Sequence, residues 1–283
     1  MMGVEDPVID FAGVAVRVRT ADARTGAILR TRFRPWHVPG GTGGIVDLEL
    51  SRVRGAVSSG RPPSGAAWRE RGGRHRIVSR WFRLEFDAGA GHGRALVSAR
   101  FGMADFCRPM AGALLAARGG FLLHAAALEA PGGGALLFCG PSGFGKTTLA
   151  KSVPRRVVLA DDSVGIRLDP DRGAATAHPT PFFGDFGRPP ARLRPGGRPV
   201  RALFLLETPS RRTAAHAARP ATAGEAAARV MTQILMAAEA PPELRRALLD
   251  RAVAFVSAAP VFWFRYVPGK TVWAYLCGLA GGR

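Results

Sequence analysis

The sequence predicts an α/β protein with a mixed sheet, in which a β-rich region over residues 1–102 precedes an α/β domain over residues 103–283. Three patterns support this prediction. Segments in the first hundred residues alternate apolar with polar side chains, as strands with one buried face do. Residues 134–140 are almost wholly apolar, as in a strand that is covered on both faces. Segments with helix start signals lie between the later strands.

The β-rich region contains three clear alternating segments. They cover residues 14–20, 45–53 and 80–86, and we predict a strand at each. Stretches rich in glycine and proline at 38–44 and 58–65 predict loops between them.

The α/β domain opens with a predicted helix over 103–120, which ends at two glycines and for which Pro109 offers an alternative start. A capping box of Thr222 and Glu225 opens a later helix. The remaining predictions are strands at 121–130, 134–140, 202–207 and 261–266, a strand pair broken by two acids at 156–168, helices at 222–238, 241–257 and 270–280, and an exposed loop at 185–200.

Composition excludes several classes of protein. The chain has 283 residues, of which 47% are hydrophobic and 22% charged, so it can bury a core and is not disordered throughout. No stretch approaches the roughly 20 apolar residues of a membrane helix. The N-terminus lacks the features of a secretory signal. We therefore expect a cytoplasmic protein with no membrane partner, whose three cysteines are buried thiols.

The net charge of +19 does not by itself indicate a nucleic-acid partner, because the basic residues are scattered along the chain. Only three of the 40 basic residues are lysine. A cluster from Arg69 to Arg83 is predicted to be the solvated face of strands, with a patch for an acidic partner as the alternative.

Residues 140–148, which we call the glycine loop, fit the phosphate-binding pattern G-x-x-x-x-G-K-[ST]. Glycines at these positions let successive backbone N–H groups turn toward phosphate oxygens. A lysine is used here in a chain that otherwise prefers arginine, and a compact ammonium suits the β- and γ-phosphates better than a forked guanidinium. The pattern predicts binding of ATP with Mg²⁺ by Gly140, Ser142, Gly143, Phe144, Gly145, Lys146, Thr147 and Thr148, with the hydroxyl of Thr147 on the metal.

Two acids and one histidine are further candidates for the site. Asp161 and Asp162 follow the apolar segment Val157–Ala160, fifteen residues after Lys146. Acids at the end of such a strand can hold Mg²⁺ or take a proton from an attacking hydroxyl. His124 lies on the strand that precedes the glycine loop. The alternative interpretation is a core histidine whose hydrogen bonds are satisfied within the protein.

The chain contains no asparagine, and this absence excludes two classes of nucleotide-binding protein. Ordinary GTPases read guanine with an N-K-x-D motif, and protein kinases of the eukaryotic type hold their second Mg²⁺ with an asparagine. Neither class fits this sequence.

The segments FLLHAAAL, GALLFCGPSGFGKTTLAKSV and VVLADDSVGIRL resemble the HPr kinase/phosphorylase C-terminal domain family. The downstream segments PTPFFGDFGR, RALFLLE and APVFWFRYVP look like the branch of that family found near peptide-modification genes. The resemblance implies a P-loop fold related to the nucleotide-binding domain of ATP-dependent phosphoenolpyruvate carboxykinase. It also implies phosphorylation of a serine hydroxyl, with Asp161 as base, Asp162 at the metal and His124 in the catalytic group.

Two functions from different classes follow. The first is a kinase that transfers the γ-phosphoryl group of ATP to a serine-type hydroxyl of a peptide or protein, with Arg188 or Arg201 as further phosphate contacts. The second is a catalytically silent ATP-binding module that regulates a peptide-modification assembly and docks an acidic leader peptide on its basic N-terminal region. A plain ATPase is a third hypothesis. Whether the protein forms a homo-oligomer stays open.

Overall fold

The computed structural model describes residues 6–39, 44–59, 65–208 and 215–281. The chain divides into two compact units: unit 1 comprises Met1–Arg118 and Met236–Arg246, and unit 2 comprises Gly119–Leu235 and Ala247–Arg283. The predicted α/β class with mixed sheets and a β-rich N-terminal region is confirmed. The predicted domain boundary after residue 102 stays a prediction. Most of the loops predicted at 38–44 and 58–65 lies outside the described residues.

Unit 1 is built on a seven-stranded sheet. Its strands are Val8–Asp10 (β1), Ala15–Arg19 (β2), Val46–Val53 (β3), Ala66–Arg71 (β4), Arg74–Ser79 (β5), Phe82–Asp87 (β6) and His92–Ser98 (β7). They lie in the order β1-β2-β3-β7-β6-β5-β4, with β2 and β7 parallel to β3 and all other neighbours antiparallel. The three predicted strands correspond to β2, β3 and β6.

The two faces of this sheet differ in chemistry. One face is apolar, and Val16, Leu48, Ile77, Leu84 and Val97 on it are each at most 1% exposed. The other face carries a ladder of cross-strand ion pairs, namely Arg17–Asp47, Arg94–Glu49, Arg76–Glu85 and Arg74–Asp87. The strand arginines of the Arg69–Arg83 cluster are exposed on β4 and β5, in agreement with the predicted solvated face.

Two helices belong to unit 1. Helix α1, Ala23–Arg32, follows Asp22, whose side chain accepts a hydrogen bond from the backbone N–H of Thr25 at 2.6 Å. Helix α2, Met103–Ala117, confirms the predicted helix, but Pro109 lies inside it, so the alternative start at Pro109 is wrong. Phe106 of α2 packs edge-on against Phe82 of β6, with ring centroids 5.5 Å apart.

Unit 2 is built on a nine-stranded sheet. Its strands are Phe121–Leu123 (β8), Ala125–Glu129 (β9), Ala135–Cys139 (β10), Val158–Ala160 (β11), Val164–Asp169 (β12), Ala174–Pro179 (β13), Arg198–Leu206 (β14), Ala217–Pro220 (β15) and Val261–Arg265 (β16). The order is β11-β9-β10-β14-β13-β12-β8, and β16 pairs with β14 and β15. Strands β10, β14 and β16 are parallel, so their carboxyl ends share one edge of the sheet.

The remaining helices are Lys146–Lys151 (α3), Ala223–Met231 (α4), Pro242–Ser257 (α5) and Thr271–Gly281 (α6). Helices α5 and α6 confirm the predictions at 241–257 and 270–280. The capping box is present, but α4 ends at Met231 rather than near residue 238. The residues after α4 hydrogen-bond to the β8 segment instead, through Leu235 N–H to Leu122 and His124 N–H to the Gln233 carbonyl. No helix within the described ranges has the length and apolarity that a membrane crossing requires.

Two predicted elements are corrected in unit 2. The single strand at 121–130 is interrupted at His124, because β8 pairs with β12 whereas β9 pairs with β10 and β11. The loop at 185–200 is not wholly exposed, since Phe186 and Leu193 are buried and β14 begins at Arg198.

Candidate functional site

The glycine loop leaves the carboxyl end of β10. All five residues of β10 are buried between antiparallel β9 and parallel β14, as predicted for an apolar central strand. Gly143 and Gly145 have φ values of 84° and 92°, in the left-handed region that favours glycine. Over the described part of the chain, the backbone N–H groups of Gly145, Lys146 and Thr147 make no hydrogen bond, so they are available to an anion.

Lys146 is folded over the glycine loop. The residue is 6% exposed, and its ammonium donates hydrogen bonds to the carbonyl oxygens of Gly140 at 2.6 Å and Pro141 at 2.9 Å. Burial lowers the pKa of Lys146, while the nearby Asp162 and Asp161 act to raise it. Two neutral carbonyl groups solvate the ammonium without cancelling its charge, which therefore remains available to a phosphate.

Asp161 is buried at the end of β11 and is 1% exposed. Its Oδ2 accepts a hydrogen bond from the backbone N–H of Phe186 at 3.0 Å, while its Oδ1 is buried without a hydrogen-bond partner. Burial raises the pKa of Asp161, against the lowering effects of the Phe186 N–H and the nearby Thr147 hydroxyl. A buried carboxylate oxygen without a donor is costly, and such a group is a candidate for binding a cation or a proton.

Asp162 and His124 form the second part of the site. His124 Nδ1 lies 2.9 Å from the backbone oxygen of Asp162 and 3.4 Å from its Oδ1. The short contact with a carbonyl, which can only accept, places the proton on Nδ1 and leaves Nε2 free to act as an acceptor in the neutral ring. Oδ2 of Asp162 accepts a hydrogen bond from the Ser163 hydroxyl at 3.1 Å. The two acids and the histidine, predicted separately, therefore lie together.

The other loop residues predicted to bind ATP and Mg²⁺ differ in their surroundings and in their exposure to solvent. The hydroxyl of Thr147 lies near Asp161 and acts to lower the pKa of that acid, against the larger effect of burial. Ser142 and Thr148 are exposed, and Phe144 is partly buried. These positions leave the loop open on the side where Ser142 and Gly143 face solvent.

Tyr266 is a site residue that the sequence did not indicate. Its hydroxyl donates a hydrogen bond to the carbonyl oxygen of Gly145 at 2.6 Å, and burial raises its pKa to about 12. A Cβ atom on Gly145 would lie 2.6 Å from that hydroxyl oxygen. Tyr266 directly follows β16, and the parallel course of β16, β14 and β10 could have suggested that it reaches the loop.

Arg229 of α4 is a second residue that was missed. Its guanidinium lies over the ring of Phe144, 5.7 Å from the centroid, and over that of Trp263 at 5.4 Å. Burial raises the pKa of Cys139, the last residue of β10, to about 12, against the lowering effects of Lys146 and Arg229. A cation is therefore held beside the glycine loop by aromatic rings.

Of the two arginines suggested as phosphate contacts, Arg201 lies away from the glycine loop. Arg201 is near the start of β14, where its Nε donates to the carbonyl of Gly133, so it lies at the sheet edge opposite the glycine loop. Arg188 is exposed, and its carbonyl accepts a hydrogen bond from Arg155.

Fold and site together define a mixed α/β protein with a glycine loop beside a pair of acids. Residues 101–273, more than half of the chain, match the model of the family described as SynChlorMet cassette protein ScmC. The chain belongs to this ScmC family. Every residue of the site lies within the matched range. No curated protein matches the chain.

Proposed function

We propose that the chain is an ATP- and Mg²⁺-dependent kinase that transfers the γ-phosphoryl group to a serine-type hydroxyl of a peptide or protein. The observation that carries the proposal is that Lys146, which follows β10, and the acids Asp161 and Asp162, which follow β11, lie at the same edge of the sheet. Both acids are close enough to act on the pKa of the lysine. The parallel arrangement of β10 and β14 supports a P-loop domain of the HPr kinase and phosphoenolpyruvate carboxykinase type.

The nucleotide phosphates would lie on the glycine loop. Three consecutive N–H groups, from Gly145 to Thr147, are available to phosphate oxygens. Helix α3 has only six residues, so we base the anion affinity on these N–H groups and on Lys146 rather than on a helix dipole. Arg229, stacked on Phe144 of the same loop, would supply a second cation for the polyphosphate.

The acid pair fits Mg²⁺. The Asp161 Oδ1 atom is buried without a donor, the Thr147 hydroxyl is adjacent, and Asp162 adds a further carboxylate. Hard oxygen ligands of this kind suit Mg²⁺, which usually keeps several waters and binds one or two carboxylates. When bound, the metal would neutralise charge on the phosphoryl oxygens.

One acid of the pair would take the proton from the attacking hydroxyl while the other holds the metal. The resemblance assigns the base to Asp161, and the raised pKa of that carboxyl makes it the better proton acceptor. The burial of Asp161 beside Thr147 favours the reverse assignment, with Asp162 next to His124 as the base. In either case the acceptor oxygen forms a bond to phosphorus, the bond to the β-phosphate oxygen breaks, and ADP leaves.

The proposal is tested by incubating the full chain with γ-³²P-labelled ATP, Mg²⁺ and candidate serine peptides encoded beside its gene. Lys146→Ala should abolish label transfer, whereas Lys151→Ala, which removes an exposed lysine of the same helix, should retain it. Asp161→Asn and Asp162→Asn distinguish the acid that holds the metal from the acid that acts as base. Excess Mn²⁺ should partly restore label transfer when a metal ligand is lost, but not when the base is lost.

Binding of Mg·ATP with no label on any hydroxyl would instead support the silent regulatory module. In that case Asp161→Ala would leave the activity of the peptide-modification assembly unchanged. An acidic leader peptide is the partner that we propose for either function.

A further inference from the structure

A cavity of about 360 Å³ in unit 1 is lined by arginines. We call it the arginine cavity. It lies between the start of α1, the end of β3 and the turn that leads into α2. The charged residues that line it are Asp22, Arg24, Arg52 and Arg100.

Arg52 is the central residue of the arginine cavity. Its Nη2 donates hydrogen bonds to the carbonyl oxygens of Ala99 and Phe101, both at 3.1 Å. These two bonds fix the plane of the guanidinium. Its Nη1 is buried and has no hydrogen-bond partner, which leaves donor capacity unused in a place with little access to water.

The lining has more positive than negative charge. Three arginines and one acid, Asp22, line the cavity, and the carboxylate of Asp105 lies beside Gly102 at its border. The Asp22 carboxylate already caps α1 by accepting from Thr25, and Arg52 and Arg24 lower its pKa further. The pKa of Arg52 is lowered by burial and by the charge of Arg24, although Asp22 acts to raise it. An anion bound here would form charge-assisted hydrogen bonds with the guanidinium of Arg52.

The apolar part of the lining restricts the type of anion. Ile28, Phe101 and the buried Met103 border the cavity beside the guanidinium groups. Carboxylate and phosphate groups both match the fork of an arginine in a bidentate arrangement. The apolar side chains suit a ligand with carbon atoms next to its charge.

We propose that the arginine cavity binds an oxyanion group, a phosphate or a carboxylate, through Arg24, Arg52 and Arg100. This binding is independent of the glycine loop and of the proposed kinase function. The oxyanion has two sources, either a free small anion or the acidic side chains of a peptide. A glutamate-rich peptide with apolar residues between its acids would use both parts of the lining.

The test is calorimetry of the full chain at constant ionic strength with two probes, inorganic phosphate and a short glutamate-leucine peptide with blocked termini. The double variant Arg24→Gln/Arg100→Gln removes two exposed guanidinium groups without touching the hydrogen bonds of Arg52. We expect Kd to rise about tenfold or more, as for loss of a charged hydrogen bond. Arg54→Gln, which removes one positive charge at an exposed residue outside the lining, should leave Kd unchanged.

Because phosphate also fits the glycine loop, each titration is repeated with Lys146→Ala, which should not change binding at the arginine cavity. Saturable binding of phosphate would identify a small-anion site, and binding of the peptide alone would identify an acidic peptide as the source. Absence of binding with both probes would overturn the proposal. Equal weakening by Arg54→Gln, or loss of binding only in Lys146→Ala, would also overturn it.

Discussion

The hydroxyl of Tyr266 donates a hydrogen bond to the carbonyl oxygen of Gly145 at 2.6 Å, joining residues 121 positions apart. Tyr266→Phe removes this bond and keeps the ring. We expect a loss of about 1 kcal/mol in the free energy of unfolding and a severalfold weaker affinity for Mg·ATP. Urea denaturation and calorimetry measure the two effects. Tyr275→Phe, at the other tyrosine of the chain, is the control and should change neither.

The close approach of Tyr266 also distinguishes two glycines of the loop. Gly145→Ala places a Cβ 2.6 Å from the Tyr266 hydroxyl, whereas Gly143→Ala meets nothing within 4 Å. Both substitutions place alanine in the left-handed region, at a cost of about 1–2 kcal/mol. Gly145→Ala should therefore destabilise the fold more than Gly143→Ala in denaturation experiments.

A double-mutant cycle checks the cause of that difference. In a Tyr266→Phe background the extra cost of Gly145→Ala should shrink, because the atom in closest contact is gone. Equal effects of the two alanine substitutions in the wild-type background would contradict the explanation.

Asp161→Asn should stabilise the fold and stop phosphoryl transfer. The pKa of the buried Asp161 is raised above its ordinary value of 3.8, so ionisation opposes folding. The stability that this group contributes is fully present below about pH 4 and is lost as pH rises through the raised pKa. At neutral pH, the asparagine variant should melt a few degrees higher, for a gain of about 1 kcal/mol.

The melting temperature as a function of pH measures this effect. Wild type should lose stability relative to Asp161→Asn as pH rises from 4 to 7. Asp185→Asn, at an exposed acid next to Phe186, should follow the wild-type curve. A variant that melts below wild type at pH 7 would show that the ionised carboxylate stabilises the fold.

Arg229 is expected to contribute to nucleotide binding through its position over Phe144. Arg229→Gln should weaken Mg·ATP binding about tenfold, as for loss of a hydrogen bond to a charged group. Arg219 stacks on the other aromatic partner, Trp263, at 5.4 Å, but has no contact with Phe144 among the described cation–ring pairs. Arg219→Gln is therefore the control, and similar losses in both variants would indicate a structural role.

His178 on β13 should make stability depend on pH below neutrality. Burial, with the charges of Arg167 and Arg198, lowers its pKa from 6.5 to about 4, and its Nδ1 is buried without a partner. A lowered pKa contributes stability above pH 6.5 that is lost as pH falls toward 4. We expect a loss of about 2 kcal/mol over that range.

Thermal melts between pH 4.5 and 7.5 check this expectation. His178→Gln should flatten the pH dependence of the melting temperature. His92→Gln, at an exposed position of β7, should preserve it. An unchanged slope in His178→Gln would assign the pH dependence to other groups.

Local patterns made much of the fold predictable. The alternation in β2, β3 and β6 and the capping box of α4 are properties of neighbouring residues, and the structure contains all of them. Strands β4 and β5 were missed because Glu70, His75 and Ser79 interrupt their apolar face, which hides the alternation. The break at His124 could not be predicted, since it depends on which distant strands β8 and β9 pair with.

The candidate site was predictable where its residues are close in sequence. Lys146 and Thr147 begin α3 directly after the glycine loop, and Asp161 follows Lys146 by fifteen residues at the end of β11. Tyr266 and Arg229 reach the glycine loop only through the order of the strands and the packing of α4, and neither follows from spacing along the chain.

The ion-pair ladder of unit 1 has a consequence for how its strands align. A one-residue slip would turn the apolar face of the sheet outward, but a two-residue slip would keep it inside. In the native register Val78 and Leu96 lie opposite Arg83. A two-residue slip in one direction would bring Arg83 opposite Arg76 in β5 or Arg94 in β7, and like charges directly opposite repel. The pattern of charges on the solvent side therefore selects one alignment among those that the buried side would accept.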